Sequence, residues 1–270
     1  MYKIILFLLF VGAVSTSEIP SQFVIGGRDA SPGQFPYMVS LRFGDDRMHG
    51  CGGGILNQRW VLSAAHCFVN FQPNQIMVGS VRVNATGDRY GVIRSIMHPL
   101  FPPTLEHMHN YSNWHDVGLV HIDRPIQFNQ FVQPIPLVRR RFFGTGLATI
   151  AGFGAYILDR VRQDMRSPEH LQFTRLKIIT NTECAIRARL FGPLEPLFAT
   201  PTIYSGHICT MARRGVGVCF GDSGSMLITR DGIVGIVASG VLPCARGAPD
   251  VFIRVSTYLS WIDSYVNNLT

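Results

Sequence analysis

The chain has 270 residues, of which 47% are hydrophobic and 15% are charged. This composition excludes a disordered protein, and the length allows one large or two medium hydrophobic cores. The 24 Lys and Arg residues outnumber the 17 Asp and Glu residues by a net charge of +7, which permits anionic partners without requiring them, and we expect no nucleic-acid partner.

The first 17 residues are typical of a secretory signal peptide. Lys3 precedes an apolar run at 4–11, and small residues follow at Ala13, Ser15 and Ser17. The run is too short to cross a bilayer as a helix. No other apolar run in the sequence is long enough to do so. The sequence therefore predicts a soluble, secreted protein without a membrane partner.

Short apolar runs separated by Gly, Pro and Asn follow along the rest of the chain. This spacing predicts an all-β barrel or sandwich rather than alternating strands and helices. Apolar residues at helical spacing over 258–269 predict a short terminal helix with one face on the core. The predicted strands are 37–43, 54–62, 75–83, 91–97 and 117–122, and, after Pro134, 149–152, 171–179, 225–229, 233–239 and 251–255.

Six cysteines in a secreted chain indicate three disulfide bonds, although the sequence alone leaves the pairing open. A zinc site is disfavoured, because no two cysteines have the close spacing of metal ligands.

Ser223 is the candidate nucleophile. It lies in Gly-Asp-Ser-Gly at 221–224, with Cys219 four residues upstream, which is typical of a side chain held in a tight turn. Taken alone, such a tetrapeptide is more often a surface turn without chemistry. A serine hydroxyl also needs a base to accept its proton and a third group to orient that base.

Two further motifs supply those groups. Ser-Ala-Ala-His-Cys at 63–67 offers the imidazole of His66, and His-Asp-Val-Gly-Leu-Val at 115–120 offers the carboxylate of Asp116. Taken alone, His66 could be a core histidine and Asp116 an acid that begins a strand. The chain order His66, Asp116, Ser223 is one of the known orders of a catalytic triad.

Together these motifs resemble the chymotrypsin-like serine protease family, and the similarity runs from Val24 to the C-terminus. The resemblance implies two six-stranded antiparallel β-barrels, at 24–134 and 135–270, with a short C-terminal helix and the active site between the barrels. It implies that Ser223 attacks a peptide carbonyl, His66 transfers the proton and Asp116 orients His66. The backbone N–H groups of Gly221 and Ser223 would form the oxyanion hole. The implied disulfides are Cys51–Cys67, Cys184–Cys209 and Cys219–Cys244.

The resemblance also implies a zymogen. Val-Ile-Gly-Gly at 24–27 resembles the mature N-terminus of the family, so that residues 18–23 are an activation propeptide. The new amine of Val24 would pair with Asp222, and a buried carboxylate without its cation is disfavoured. Family members are usually cut after Arg or Lys, whereas Phe23 precedes this site.

The implied specificity pocket has Gly217 at its base, Val218 in its wall, Gly240 at its mouth and Asp250 on its far side, with Phe220 also on the substrate side. Trypsin-like enzymes carry an acid where Gly217 stands, so we expect cleavage after large apolar or aromatic residues. Asp250 leaves broad or trypsin-like specificity as an alternative. The glycine and aspartate pair resembles that of arthropod chymotrypsins and their collagenolytic relatives, which indicates a digestive enzyme.

Four residues depart from the family pattern. Ser225 and Met226 replace the usual Gly-Pro, and Ala238 and Ser239 replace a serine and an aromatic residue. These changes keep open a protein of another class, a secreted binding protein with the protease fold and little activity. We expect a monomer that acts on protein or peptide substrates, can meet protein protease inhibitors, and needs no cofactor and no metal.

Overall fold

The structure is a computed structural model that describes residues 23–84, 87–102, 114–140, 145–154, 156–159, 164–166, 168–191, 202–240 and 244–267. The predicted signal peptide lies outside the described residues, as does the predicted propeptide except for Phe23. The described strands form two closed barrels of six antiparallel strands each. The predicted fold class is therefore confirmed.

The first barrel follows a two-residue strand, β1 (Arg28–Asp29). Its strands are β2 (Met38–Phe43), β3 (Met48–Ile55), β4 (Trp60–Ser63), β5 (Gln75–Val78), β6 (Asp88–Met97) and β7 (Gly118–Ile122). They pair in the order β2-β3-β4-β7-β6-β5, and β2 pairs with β5 to close the ring. Aliphatic side chains such as Leu41, Ile55 and Leu119 fill the interior and have no exposed surface.

The second barrel contains six of the remaining strands. These remaining strands are β8 (Gly146–Gly152), β9 (Tyr156–Asp159), β10 (Asp164–Arg166), β11 (Gln172–Ile179), β12 (His207–Met211), β13 (Met226–Thr229), β14 (Gly232–Gly240) and β15 (Asp250–Arg254). The barrel closes in the order β8-β11-β12-β15-β14-β13, because β13 also pairs with β8. Strands β9 and β10 form a separate hairpin, and β1 pairs with β11.

Helices are few in the described part of the chain. Helix α1 (Asn181–Phe191) follows β11, and helix α2 (Leu259–Val266) packs on the core through Ile262. Single 3₁₀ turns lie at Ala65–Phe68 and Val255–Thr257. No helix among the described residues is long and apolar enough to cross a membrane.

Two predicted strands need correction. The predicted strand at 54–62 is wrong, because β3 ends at Ile55 and β4 begins at Trp60. Asn57 makes the break: its side-chain oxygen accepts the backbone N–H groups of Arg59 and Trp60, at 2.8 and 2.9 Å, which closes a turn. The predicted strand at 75–83 ends early, at Val78, before a glycine with positive φ. The sequence analysis predicts neither helix α1 nor strand β12.

Candidate active site

Asp116 and His66 form the most tightly connected part of the site. Asp116 lies just before β7 and is fully buried, whereas His66 lies on the 3₁₀ turn after β4. One carboxylate oxygen of Asp116 accepts the backbone N–H of His66 at 2.8 Å, and the other lies 2.7 Å from its Nδ1. Burial alone would lower the pKa of His66, but the charge and the hydrogen bond of Asp116 raise it overall. The imidazole is therefore held by a base-strengthening partner.

Ser223 lies on a turn at the junction of the two barrels. Its carbonyl accepts the N–H of Gly52 in β3 at 2.7 Å, and the next residue, Gly224, donates to Val237 in β14 at 3.0 Å. Gly224 has φ +77°, and a Cβ there would lie 2.2 Å from Oγ of Ser63. Only glycine meets both conditions, so the turn depends on the second glycine of the motif.

A disulfide attaches the His66 turn to the middle of β3. Cys67, the neighbour of His66, is bonded to Cys51, which precedes Gly52. The Ser223 turn and the His66 turn are thus both attached to β3. Within the described residues the hydroxyl of Ser223 makes no hydrogen bond, so its link to His66 is open in this conformation; such links commonly tighten only when substrate binds.

The turn before Ser223 leaves two backbone donors available. Gly221 has φ +88°, and within the described residues neither its N–H nor that of Ser223 bonds to another protein group. Unpaired, adjacent N–H groups are the chemistry that an oxyanion requires.

Asp222 is fully buried between these two donors. Its carboxylate accepts the N–H of Gly154 at 2.9 Å and that of Cys219 at 3.0 Å. Burial raises the pKa of Asp222 to about 7, although both hydrogen bonds act in the opposite direction. Within the described residues this carboxylate has no cationic partner. Val24 is also buried, in a chain that is continuous through Phe23.

The residues predicted to form the pocket lie together. A Cβ at Gly217 would lie 3.1 Å from one carboxylate oxygen of Asp250, and a Cβ at Gly240 would lie 3.5 Å from the other. The backbone N–H of Val218 donates to Asp250 at 3.3 Å. Burial, and then the nearby charge of Asp222, raises the pKa of Asp250 to about 8 against that one hydrogen bond. Asp250 is therefore mainly protonated at pH 7. Phe220 is about two-fifths exposed.

The family model described as Trypsin matches residues 24–262, which is most of the chain. The chain belongs to the trypsin family. Chymotrypsin-2 of Vespa crabro is 33% identical over 245 residues, covering 88% of this chain and 98% of that protein. Coagulation factor IX of Oryctolagus cuniculus is 30% identical over 252 residues, covering 88% and 82%. The solved structure of HL collagenase matches with a TM-score of 0.71 at 27% identity, covering 91% of this chain and all of that one.

Membership of the trypsin family makes this chain a serine endopeptidase, a hydrolase with protein substrates. The three disulfides implied by the resemblance are present: Cys51–Cys67, Cys184–Cys209 and Cys219–Cys244. Cys51 and Cys67 lie close to His66, but their sulfurs are bonded to each other and cannot act as thiolate ligands.

Two of the four residues that depart from the trypsin-family pattern, Ser225 and Met226, lie opposite glycines, which have no side chain. A Cβ at Gly54 would lie 2.6 Å from Cγ of Met226, and a Cβ at Gly52 would lie 2.0 Å from Oγ of Ser225. The bulk of both side chains is therefore accommodated in the space above β3. The methyl of the buried Ala238 offers no hydrogen bond, and within the described residues Asp116 bonds only to His66.

His49 is absent from the predicted site, but the structure places it in hydrogen-bond contact with the turn at 221–223, here called the oxyanion turn. Nε2 of His49 lies 3.0 Å from the carbonyl oxygen of Gly221, and Nδ1 lies 2.8 Å from Oγ of Ser40. A carbonyl oxygen can only accept, so the proton is on Nε2 and Ser40 donates to Nδ1. Burial, with a smaller contribution from the charge of Arg42, lowers the pKa of His49 to about 4, although the hydrogen bond to Gly221 acts in the opposite direction. His49 stands two residues before Cys51 on β3, the one sequence signal of its position.

Proposed function

We propose that this chain is a secreted, digestive serine endopeptidase that is made as a zymogen and cleaves after large apolar or aromatic residues. The observation that carries the specificity is the contact between Gly217 and a buried, protonated Asp250. Asp250 is then mainly uncharged at neutral pH. The relatives named chymotrypsin and collagenase support this assignment.

The proposed mechanism uses three side chains and two backbone donors. Ser223 attacks the peptide carbonyl while His66 accepts its proton, and His66 then passes that proton to the leaving amine. Asp116 keeps the proton of the neutral imidazole on Nδ1 and stabilises the charged form, consistent with the raised pKa of His66. The N–H groups of Gly221 and Ser223 bind the oxyanion. Losing one such donor typically slows turnover about a hundred- to a thousand-fold.

The pocket favours apolar side chains for an energetic reason. Burying a Phe, Tyr or Leu side chain of the substrate stabilises the complex by about 1.5–3 kcal/mol and leaves no charge unpaired. An Arg side chain must first lose its water, and Asp250, the acid beside Gly217, must lose a proton held with a pKa of about 8. Imperfect compensation of a desolvated charge recovers little of its cost.

The same Asp250 favours a second candidate specificity. Once ionised, its carboxylate beside Gly217 would accept the basic end of Arg or Lys. A trypsin-like or broad preference is therefore the alternative within the same enzyme class, and matched Phe and Arg peptides distinguish the two.

Cleavage before Val24 is proposed as the activation step. Asp222 is buried and has a raised pKa, and among the described residues no cation pairs with it. The freed amine of Val24 would provide that cation and draw the oxyanion turn into its active arrangement. Because Phe23 precedes the cut, we expect a chymotrypsin-like activator, such as the enzyme itself. Secretion follows from the predicted signal peptide, and we propose that the mature enzyme is a monomer open to protein inhibitors.

Labelling with a fluorophosphonate tests the enzyme assignment, because only an activated serine reacts stoichiometrically. We expect one label per molecule on the chain cut before Val24, located at Ser223 by mass spectrometry, and slow labelling of the uncut chain. Ser223→Ala is the matched control. Labelling that persists in Ser223→Ala, or a folded cut chain that takes no label, contradicts the proposal.

A further inference from the structure

The loop that carries Asp116 has an unusual backbone. His115, the residue before Asp116, has φ +60°, in the left-handed region that residues with a side chain avoid. Such a conformation persists only where the surroundings hold it in place. The contacts of Trp114 and His115 therefore decide where the Asp116 carboxylate lies.

Tyr204 contacts this loop from the second barrel. Its hydroxyl accepts the backbone N–H of His115 at 3.3 Å. Its ring stacks on the indole of Trp114, with 4.4 Å between centroids and 28° between planes. His207, at the start of β12, contacts the ring of Tyr204 at 3.9 Å between centroids. Tyr204 thus joins the β12 side of the second barrel to the Asp116 loop of the first.

His98 supports the same loop from the first barrel. Its imidazole stacks on that of His115, with 4.9 Å between centroids and 9° between planes, and its backbone N–H donates to Val117 at 3.0 Å. Burial lowers the pKa of both imidazoles, and the charge of His115 adds to the effect on His98. Both rings are therefore neutral at neutral pH, and their stacking involves no charge repulsion.

The Asp116 carboxylate has no other support from side chains among the described residues. One of its oxygens accepts the backbone N–H of His66 at 2.8 Å, and the other lies 2.7 Å from Nδ1 of His66. Besides these two hydrogen bonds, the position of the carboxylate depends on the conformation of its own backbone. We propose that Tyr204 is a positioning residue, which holds the Trp114–His115 turn in its left-handed form and so aims Asp116 at His66. This inference rests on the proposed triad.

The variant Tyr204→Phe tests the proposal because it removes the acceptor for the N–H of His115 and keeps the ring. Tyr90→Phe is the matched control, because the hydroxyl of Tyr90, on β6, also accepts a backbone N–H, from Gln127 at 3.1 Å. The first measurement is the pKa of His66 by NMR titration in a Ser223→Ala background, which needs no turnover. The second is kcat and KM on a peptide amide.

We expect Tyr204→Phe to lower the pKa of His66 by about half a unit, because a loosened Asp116 stabilises the imidazolium less. It should also lower kcat about five-fold with KM nearly unchanged, whereas Tyr90→Phe changes neither quantity. An unchanged pKa and kcat in Tyr204→Phe, or equal changes in both variants, overturns the proposal. If the parent has no turnover but Tyr204→Phe still shifts the pKa of His66, the proposed function fails and this inference stands.

Discussion

The two halves of the candidate active site differ in the hydrogen-bond partners of their buried carboxylates. In the first barrel, both oxygens of Asp116 are engaged by His66. In the second barrel, the hydrogen bonds that Asp222 and Asp250 make within the described residues come from backbone N–H groups, and burial raises the pKa values of these two carboxyls to about 7 and about 8. The first half is electrostatically complete in the uncut chain, whereas the second half is not.

This contrast suggests a division of roles. We expect the His66–Asp116 pair to keep the same geometry before and after cleavage, because separating the two would leave a buried charge without a partner. A carboxyl group without a cationic partner instead changes its ionisation when a cation binds beside it. For Asp222 that cation is the amine of Val24, and for Asp250 it is a basic substrate side chain. We therefore expect changes in the first half to affect turnover, and changes in the second half to affect activation and specificity.

The largest effect is expected at the completed pair. Asp116→Asn should lower kcat about ten-thousand-fold, because the amide holds the imidazole in the wrong tautomer. KM should change little, since Asp116 touches no substrate. Steady-state kinetics on the cut enzyme checks this, with fluorophosphonate labelling to count active molecules. A loss of less than about a hundred-fold would show that Asp116 is not the orienting group.

The next effect concerns the base of the pocket. We expect the parent to favour a Phe peptide over its matched Arg peptide by at least about ten-fold in kcat/KM, or about 1.4 kcal/mol of differential binding. An acid at 217 alone would place its Cβ 3.1 Å from an Asp250 oxygen. The double variant Gly217→Asp/Asp250→Gly avoids that contact and should reverse the preference. A parent that prefers Arg makes Asp250 the specificity acid.

The pH dependence of specificity isolates Asp250. Its pKa is raised to about 8, so the carboxyl is protonated below that pH and charged above it. The Arg-to-Phe ratio of kcat/KM should therefore rise a few-fold between pH 6.5 and pH 9. Because both substrates use the same His66, its titration cancels in the ratio. Asp250→Asn should give a flat ratio; a rise of the same size in that variant would rule out Asp250 as its source.

The smallest effect is a stability difference at Asp222. In the uncut chain its pKa is raised from 3.8 to about 7, so the folded state keeps a proton that the unfolded state releases. Stability of the uncut chain therefore falls as pH rises through that window. In the cut chain the amine of Val24 should lower the pKa of Asp222 and remove this loss.

We expect the Tm advantage of cut over uncut chain to grow by roughly 5 °C between pH 5 and pH 8. Calorimetry on Ser223→Ala avoids self-digestion, and the cut form is prepared with chymotrypsin and its N-terminus sequenced. A Tm difference that is independent of pH would mean that Val24 does not pair with Asp222.

The sequence by itself determined the residue types of the site and the class of fold. Ser223, His66 and Asp116 stand in short motifs whose turns and strands form locally, and the alternation of apolar runs follows from burial of one strand face. The cysteine pairs came from family resemblance, since composition alone left them open. The break at Asn57 was missed, because an apolar run does not show that one side chain will close a turn within it.

Only the tertiary structure decided which distant groups meet. His49 reaches the carbonyl of Gly221 across 172 residues of sequence, and Tyr204 reaches the N–H of His115 across 89. Neither contact leaves a local pattern, because barrel closure, not sequence spacing, brings the partners together. The raised pKa values of Asp222 and Asp250 have the same origin. Desolvation is a property of the packed interior, and no carboxylate has it until the strands around it have closed.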